Sequence, residues 1–281
     1  MKFTKMHGTG NDYVYINCFK EEVSNPAELA IKISNRNFGI GSDGLILIKP
    51  SDVADCKMDI YNADGSLAKM CGNGIRCVAK YAYEYGIAKK EKLTIETFSG
   101  IKTLDLETKD NRVINVNVNM GEPKLNTKEI PVLYNKDNII NEKVLVKYEE
   151  YYVTCVSMGN PHCVLFVADT VNANVESVGS YLEKHEMFPE GVNVEFVQVI
   201  NRGQIRMRVW ERGSGETMSC GTGACASVVA AILNGYTDNK VEVEVLGGRL
   251  WIHWDKENNF VYMKGSAMEV YSGELSKEFA M

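Results

Sequence analysis

The 281-residue chain has no basic run that could track a phosphate backbone, and its formal charge is −6. Nucleic acid is therefore excluded as its main partner. The opening stretch MKFTKMHGTGNDYVYIN lacks the apolar core of a signal peptide, and no apolar run approaches membrane-spanning length. These absences predict a cytoplasmic protein with no membrane partner. Eight cysteines are present, yet none form a Cys-x2-Cys knuckle, and His162 and Cys163 are adjacent rather than spaced as zinc ligands. A reducing cytosol and a chain of this size make a disulfide framework unexpected. Cys18, Cys56, Cys77, Cys155, Cys163 and Cys225 read as small buried hydrophobes. No low-complexity segment interrupts the chain.

What is present is a repeat. MDIYNADGSLAKMCGNG (58–74) lies without a gap on MRVWERGSGETMSCGTG (207–223), which sets Cys71 and Cys220 149 positions apart. Upstream, Gly10-Asn11 and Gly159-Asn160 keep the same offset, and FGIGSD (38–43) matches FPEGVN (188–193) one position out of phase. With Gly86 and Gly235, each fifteen residues after its cysteine, and the β-rich runs TIETFSG and VEVEVLGG, five landmarks in one order imply two homologous halves. Runs such as VINVNVNM and RLWIHW alternate with period two, the pattern of half-buried antiparallel strands. The expected architecture is α+β, with two pseudo-symmetric domains and a cleft between them. The polar stretch 121–150 is expected to carry the crossover.

Each cysteine stands just ahead of an apolar, helix-like stretch: Ile75, Val78, Ala79 and Ala82 in one copy, Ala224, Val228 and Ile232 in the other. A helix N-terminus favours negative charge, so its dipole is expected to acidify both thiols. The glycines that follow let backbone N–H groups approach a bound anion. One cysteine beside a glycine turn reads as packing; two in equivalent places read as a pair. Two thiols on opposite faces of one carbon are what a two-base epimerisation needs, one removing a proton and the other returning one. Gly39-Ile40-Gly41-Ser42-Asp43-Gly44 formally matches a dinucleotide fingerprint, but a helix-like run precedes it and a strand-like run follows. That order is the wrong way round.

The segments MHGTGNDY, NADGSLAKMCGNGIRC, VSMGNPHCV, GVNVEF and ERGSGETMSCGTGACA together resemble the diaminopimelate epimerase family, nearly end to end. The resemblance implies a cofactor-independent isomerase of the amino-acid racemase and epimerase class. Such an enzyme converts LL- to meso-diaminopimelate for lysine and cell-wall synthesis, without metal or pyridoxal phosphate. It implies two domains, 1–120 with 266–281 and 121–265, each a curved, mostly antiparallel, barrel-like sheet around a central helix. By resemblance, Cys71 and Cys220 are the acid/base pair, their roles reversing with the bound stereoisomer. Asn11, Asn62, Asn160, Asn193, Glu211 and Arg212 are implied substrate ligands, with Gly72, Asn73, Gly221 and Thr222 offering backbone N–H groups. His162 and Glu211 are the implied modulators of thiol acidity. Gly44 stands where many relatives carry Gln and contributes no side chain. The implied partner is a small molecule, and a homodimer is possible. Proline racemases and hydroxyproline epimerases are the nearest rivals, though they usually carry His where Asn73 stands. A non-catalytic binding protein on the same fold is disfavoured by retention of both cysteines.

If both thiols reach one small substrate, mild oxidation will inactivate the protein reversibly through a Cys71–Cys220 disulfide. Peptide mapping of oxidised, inactive protein that finds both thiols free would contradict this.

Overall fold

The computed structural model describes residues 1–277 and 279; Glu278, Ala280 and Met281, which end the expected N-terminal domain, lie outside the described residues. The chain folds into two compact units, Met1–Val118 with Gly265–Met281, and Asn119–Lys264. The first runs β1 (Lys2–Gly8), β2 (Asn11–Asn17), α1 (Pro26–Ser34), β3 (Gly44–Lys49), β4 (Cys56–Asn62), β5 (Leu67–Ala68), α2 (Gly72–Glu84), β6 (Lys92–Thr97), β7 (Gly100–Lys109) and β8 (Arg112–Gly121). The second runs β9 (Glu142–Val146), β10 (Glu149–Ser157), β11 (Pro161–Phe166), α3 (Val175–Glu183), β12 (Asn193–Asn201), β13 (Gln204–Glu211), β14 (Gly215–Thr217), α4 (Gly221–Leu233), β15 (Lys240–Val245), β16 (Gly248–Asp255) and β17 (Phe260–Gly265). A last strand, β18 (Met268–Glu274), pairs antiparallel with β1. The 121–150 stretch holds isolated bridges, Lys124 to Ser157 and Asn126 to Asn138, before β9 and the start of β10.

Topology follows from the connections. Hairpins give antiparallel pairs, and parallel neighbours need a crossover. In the first unit the parallel pairs are β2–β3, crossed by α1, and β4–β6, crossed by α2. In the second they are β11–β12, crossed by α3, and β13–β15, crossed by α4. The remaining pairs described are antiparallel, and the sheets curve without closing into a barrel.

Both faces of β3 (GLILIK) are covered, which is why it is buried almost throughout. Leu45 and Leu47 pack with Leu29, Ala30 and Ile33 of α1, whereas Ile46 lies beneath the first turn of α2. The second unit repeats this: Val194 and Phe196 of β12 pack with Val175, Val178 and Leu182 of α3, and Glu195 lies beneath α4. The central helix α2 buries residues from Gly72 to Tyr83, charged ones included. Arg76 is fully buried and donates to the Gly72 carbonyl at 3.1 Å, the Ser266 carbonyl at 3.2 Å and the Thr9 hydroxyl at 3.4 Å. A guanidinium left unpaired there would cost several kcal/mol.

Strand registers place Gly44 opposite Tyr13 and Asn193 opposite His162. The 149-residue offset therefore holds through 38–44, which corrects the one-position slip read from the sequence; pairing of strand ends, not residue likeness, sets the alignment. Cys56, Cys77, Cys155, Cys163 and Cys225 are buried as expected, but Cys18, at the end of β2, is only half-buried.

One packing detail is unit-specific. Gly179 sits inside α3, where glycine costs up to about 1 kcal/mol relative to alanine. A Cβ there would lie 2.5 Å from Cβ of Trp210. The equivalent place in α1 holds Ala30, with the smaller Tyr61 packed on its cluster. Gly179→Ala should therefore lower stability by about 1–3 kcal/mol through overpacking; an unchanged denaturation midpoint would show that Trp210 yields freely.

Candidate active site

In the first unit Cys71 is the N-cap of α2, with extended backbone (φ −139°, ψ 111°). Its sulfur accepts from the Gly74 N–H at 3.2 Å, and its thiol donates to Oδ1 of Asn11, also at 3.2 Å. Asn11 is held by Asp43, whose Oδ2 accepts from Asn11 Nδ2 at 2.7 Å and from the Asp12 N–H at 3.0 Å. Arg36 bridges Asp12 and Asp43, and Lys5 pairs with Asp12. Burial, then the Asp12 charge, pushes the Asp43 carboxyl above its ordinary range. Asn62 ends β4 beside Gly44, its amide donating to the Ser66 hydroxyl at 3.0 Å. Asn73 is buried and accepts from the Thr9 hydroxyl at 3.3 Å. Thr9 holds φ 51°, uncommon for a β-branched residue, in the turn that delivers Asn11.

In the second unit Cys220 caps α4 (φ −115°, ψ 113°), with its sulfur 3.4 Å from the Thr222 hydroxyl. Glu211, at the end of β13, accepts from the Thr217 hydroxyl, and its carboxyl interacts electrostatically with the Cys220 thiol. Burial pushes the Glu211 carboxyl up. His162 is fully buried, with Nδ1 2.7 Å from Glu195 Oε1 and Nε2 3.1 Å from Asn160 Oδ1. Asn193 is anchored in its unit: its amide donates to the Pro161 carbonyl at 2.9 Å, and its Oδ1 accepts from the Arg212 N–H at 3.0 Å, which leaves a second amide N–H. The exposed Arg212 guanidinium turns onto the Glu190 carbonyl at 2.7 Å.

Each unit thus gathers its own share of the expected residues: Asn11, Asn62, Cys71, Gly72 and Asn73 in one, and the rest in the other. Gly72-Asn73 and Gly221-Thr222 are the first residues of their helices, where N–H groups have no partner within the helix. A Cβ on Gly74 would meet Ile46 at 2.6 Å, and one on Gly223 would meet Glu195 Oε1 at 2.6 Å. Glycine at both positions lets the first turn rest on the strand beneath.

The uniform acidification expected of helix-capping thiols does not hold at Cys220. Burial pushes that thiol well above its ordinary value, and the Glu211 and Glu195 carboxylates add to the rise; the Thr222 hydroxyl and the Gly223 N–H oppose it. Desolvation outweighs the helix dipole. Two residues missed in the sequence now belong to the site. Asp43 was set aside with the failed dinucleotide pattern. Glu195 was readable as a lone acid in an otherwise apolar strand, NVEFV, since a buried carboxylate needs a partner.

An α+β chain of two repeated units, each capping its central helix with cysteine, has the fold of known racemases and epimerases. Solved structures sharing it include a probable proline racemase from Agrobacterium radiobacter, with TM-score 0.71, 14% identity, and coverage of 98% of this chain and 93% of that one. A hydroxyproline epimerase from Agrobacterium vitis gives TM-score 0.70 at 14% identity, covering 97% and 91%. Closer in sequence is diaminopimelate epimerase of Acetivibrio thermocellus, 52% identical over 98% of each chain. The Agathobacter rectalis enzyme of that name is 54% identical over 98% of this chain and 99% of its own. Residues 3–126 and 154–270 match the diaminopimelate epimerase family, to which the chain belongs.

Cys220 should ionise only well above the ordinary range of a cysteine thiol. The difference in thiolate ultraviolet absorbance between wild type and Cys220→Ser, titrated with pH, measures this. Glu211→Gln should move the transition down, because a negative neighbour is lost. A Cys220 transition below pH 8 would refute the burial argument.

Proposed function

We propose that the protein interconverts LL- and meso-diaminopimelate by a two-base reaction in which Cys71 and Cys220 exchange the α-proton. The observation that carries this reading is the recurrence, at one spacing, of a cysteine cap on each unit's central helix, in a chain about half identical to diaminopimelate epimerases.

The chemistry asks one sulfur to enter as thiolate and take the proton from one face of the α-carbon. The carbanion's charge spreads into the substrate carboxylate, where Gly72, Asn73, Gly221 and Thr222 would offer backbone N–H groups. The opposing thiol then delivers its proton to the other face. The sulfurs end with their protonation states exchanged, ready for the reverse stereoisomer. Burial that keeps Cys220 protonated makes it the resting acid. The Cys71 thiol donating to Asn11 would have to release its proton when substrate arrives. Glu211 suits an ammonium and Arg212 a carboxylate, the latter once its guanidinium leaves the Glu190 carbonyl. Asn11 and Asn62 in the first unit, and Asn160 and Asn193 in the second, have amides that both donate and accept and would serve as further substrate ligands. His162 and Glu211 bear on thiol acidity.

Turnover of LL-diaminopimelate in deuterated water should place solvent deuterium at the epimerised carbon. Proline offered alongside should stay unlabelled. Cys71→Ala and Cys220→Ala should each cost about 10²–10⁴-fold in kcat while leaving the circular dichroism spectrum unchanged. Near-normal turnover by either variant would rule out two-base transfer, and labelling of proline alone would reassign the substrate.

A further inference from the structure

We infer that Glu195 is a positioning residue of the Cys220 half-site, acting through His162 to hold the Asn160 amide in one orientation. The inference rests on the proposed role of Asn160 as a substrate ligand.

Glu195 and His162 are both fully buried, on adjacent parallel strands and on the face beneath α4. Asn160 Oδ1 can only accept, so the 3.1 Å contact requires a proton on His162 Nε2. The 2.7 Å contact between Nδ1 and Glu195 Oε1 requires a second proton between them. Ring and carboxyl therefore hold two protons and carry no net charge as a pair, whichever atom owns the shared one. That proton count has two consequences. Asn160 must keep its Nδ2 for an outside acceptor: the residue is half-buried, and among the described residues Nδ2 makes no hydrogen bond. A donor there suits a carboxylate oxygen. The shared proton also tempers the negative charge that Glu195 adds beside Cys220, where Glu211 already stands. The ionisable groups facing Glu195 are His162 and Cys163 of β11, Glu211 of β13 and Cys220 at the cap of α4.

The first unit lacks the device. Tyr13 and Ile46 stand where the second unit has His162 and Glu195, and Asn11 is fixed by Asp43 instead. Among the described residues Glu195 Oε2 has no hydrogen-bond partner, so no other polar group fixes this carboxyl. The His162 contact is what accounts for a buried acid in the middle of β12.

The test separates hydrogen bonding from packing. Glu195→Met keeps much of the volume but frees the ring to choose its tautomer, and should lower kcat/KM about tenfold or more. Its activity should recover partly below the ordinary imidazole range, about pH 6.5, where a cationic ring again protonates Nε2. Glu195→Gln, whose amide can donate to Nδ1 and preserve the Nε2 proton, should stay within about threefold of wild type. Nitrogen-15 NMR of wild-type His162 should show Nε2 protonated throughout the neutral range. Met matching wild type, Gln failing as badly as Met, or an unprotonated Nε2 in wild type would each overturn the inference. If Glu195→Met does not fold, the wild-type spectrum decides. Absence of diaminopimelate turnover in wild type would defeat the proposed function instead and leave the spectrum as the judge of this one.

Discussion

A helix enclosed by its own sheet must still leave the first N–H groups of its first turn without helical partners, and much else here answers to that constraint. The ends of α2 and α4 are where those amides collect. Glycine is required where the turn presses on the strand beneath, and a short, polarisable side chain is suited to the cap. Cysteine meets the second need poorly as a stabiliser, because sulfur accepts weakly. The cap at Cys71 is made by sulfur, and the one at Cys220 lacks that bond. Two stabilising serines would have served the helices as well. What a serine would not provide is a proton as acidic as a thiol's.

The two units solve the same geometric problem with different electrostatics. In the first, an exposed arginine ties together two aspartates, and one of them turns the Asn11 amide toward Cys71. In the second, a sealed histidine–glutamate pair does the corresponding work for Asn160, and Glu211 replaces Asn62 beside the thiol. Repetition supplies two helix-capping thiols of one kind; divergence around them makes their surroundings unequal. Under the proposed function, that inequality would suit a substrate whose two ends differ in configuration.

Much of this was legible in the sequence. The 149-residue spacing exposed the duplication, and the helix caps followed from Cys-Gly-x-Gly ahead of apolar runs. The alternating strand runs located VINVNVNM and RLWIHW in β8 and β16. The quantities that escaped depend on three-dimensional enclosure. Thiol acidity at Cys220 is governed by how much water its surroundings exclude, which a dipole argument along one helix does not contain. Asp43 joins Asn11 only because β2 and β3 pair in a particular register. Asn193, a ligand candidate by type, is also tied into the backbone of its own unit. Its worth as a contact depends on what its remaining N–H can reach.

The constancy of the offset has a further meaning. From Gly8 and Ser157, which end β1 and β10, to Glu84 and Leu233, which end the central helices, corresponding residues stay 149 apart. The spacing drops to 148 only at Lys92 and Lys240, beyond the helices' C-terminal ends. Length has thus been frozen on the approach to each cysteine and allowed to drift behind it. A one-residue slip upstream would turn a strand's inward set outward, whereas a residue lost after the helix shortens a surface turn. Grafted sequence or a reporter loop belongs after Glu84 or Leu233, and between Gly8 and Cys71 the protein should behave as a ruler that tolerates no added mark.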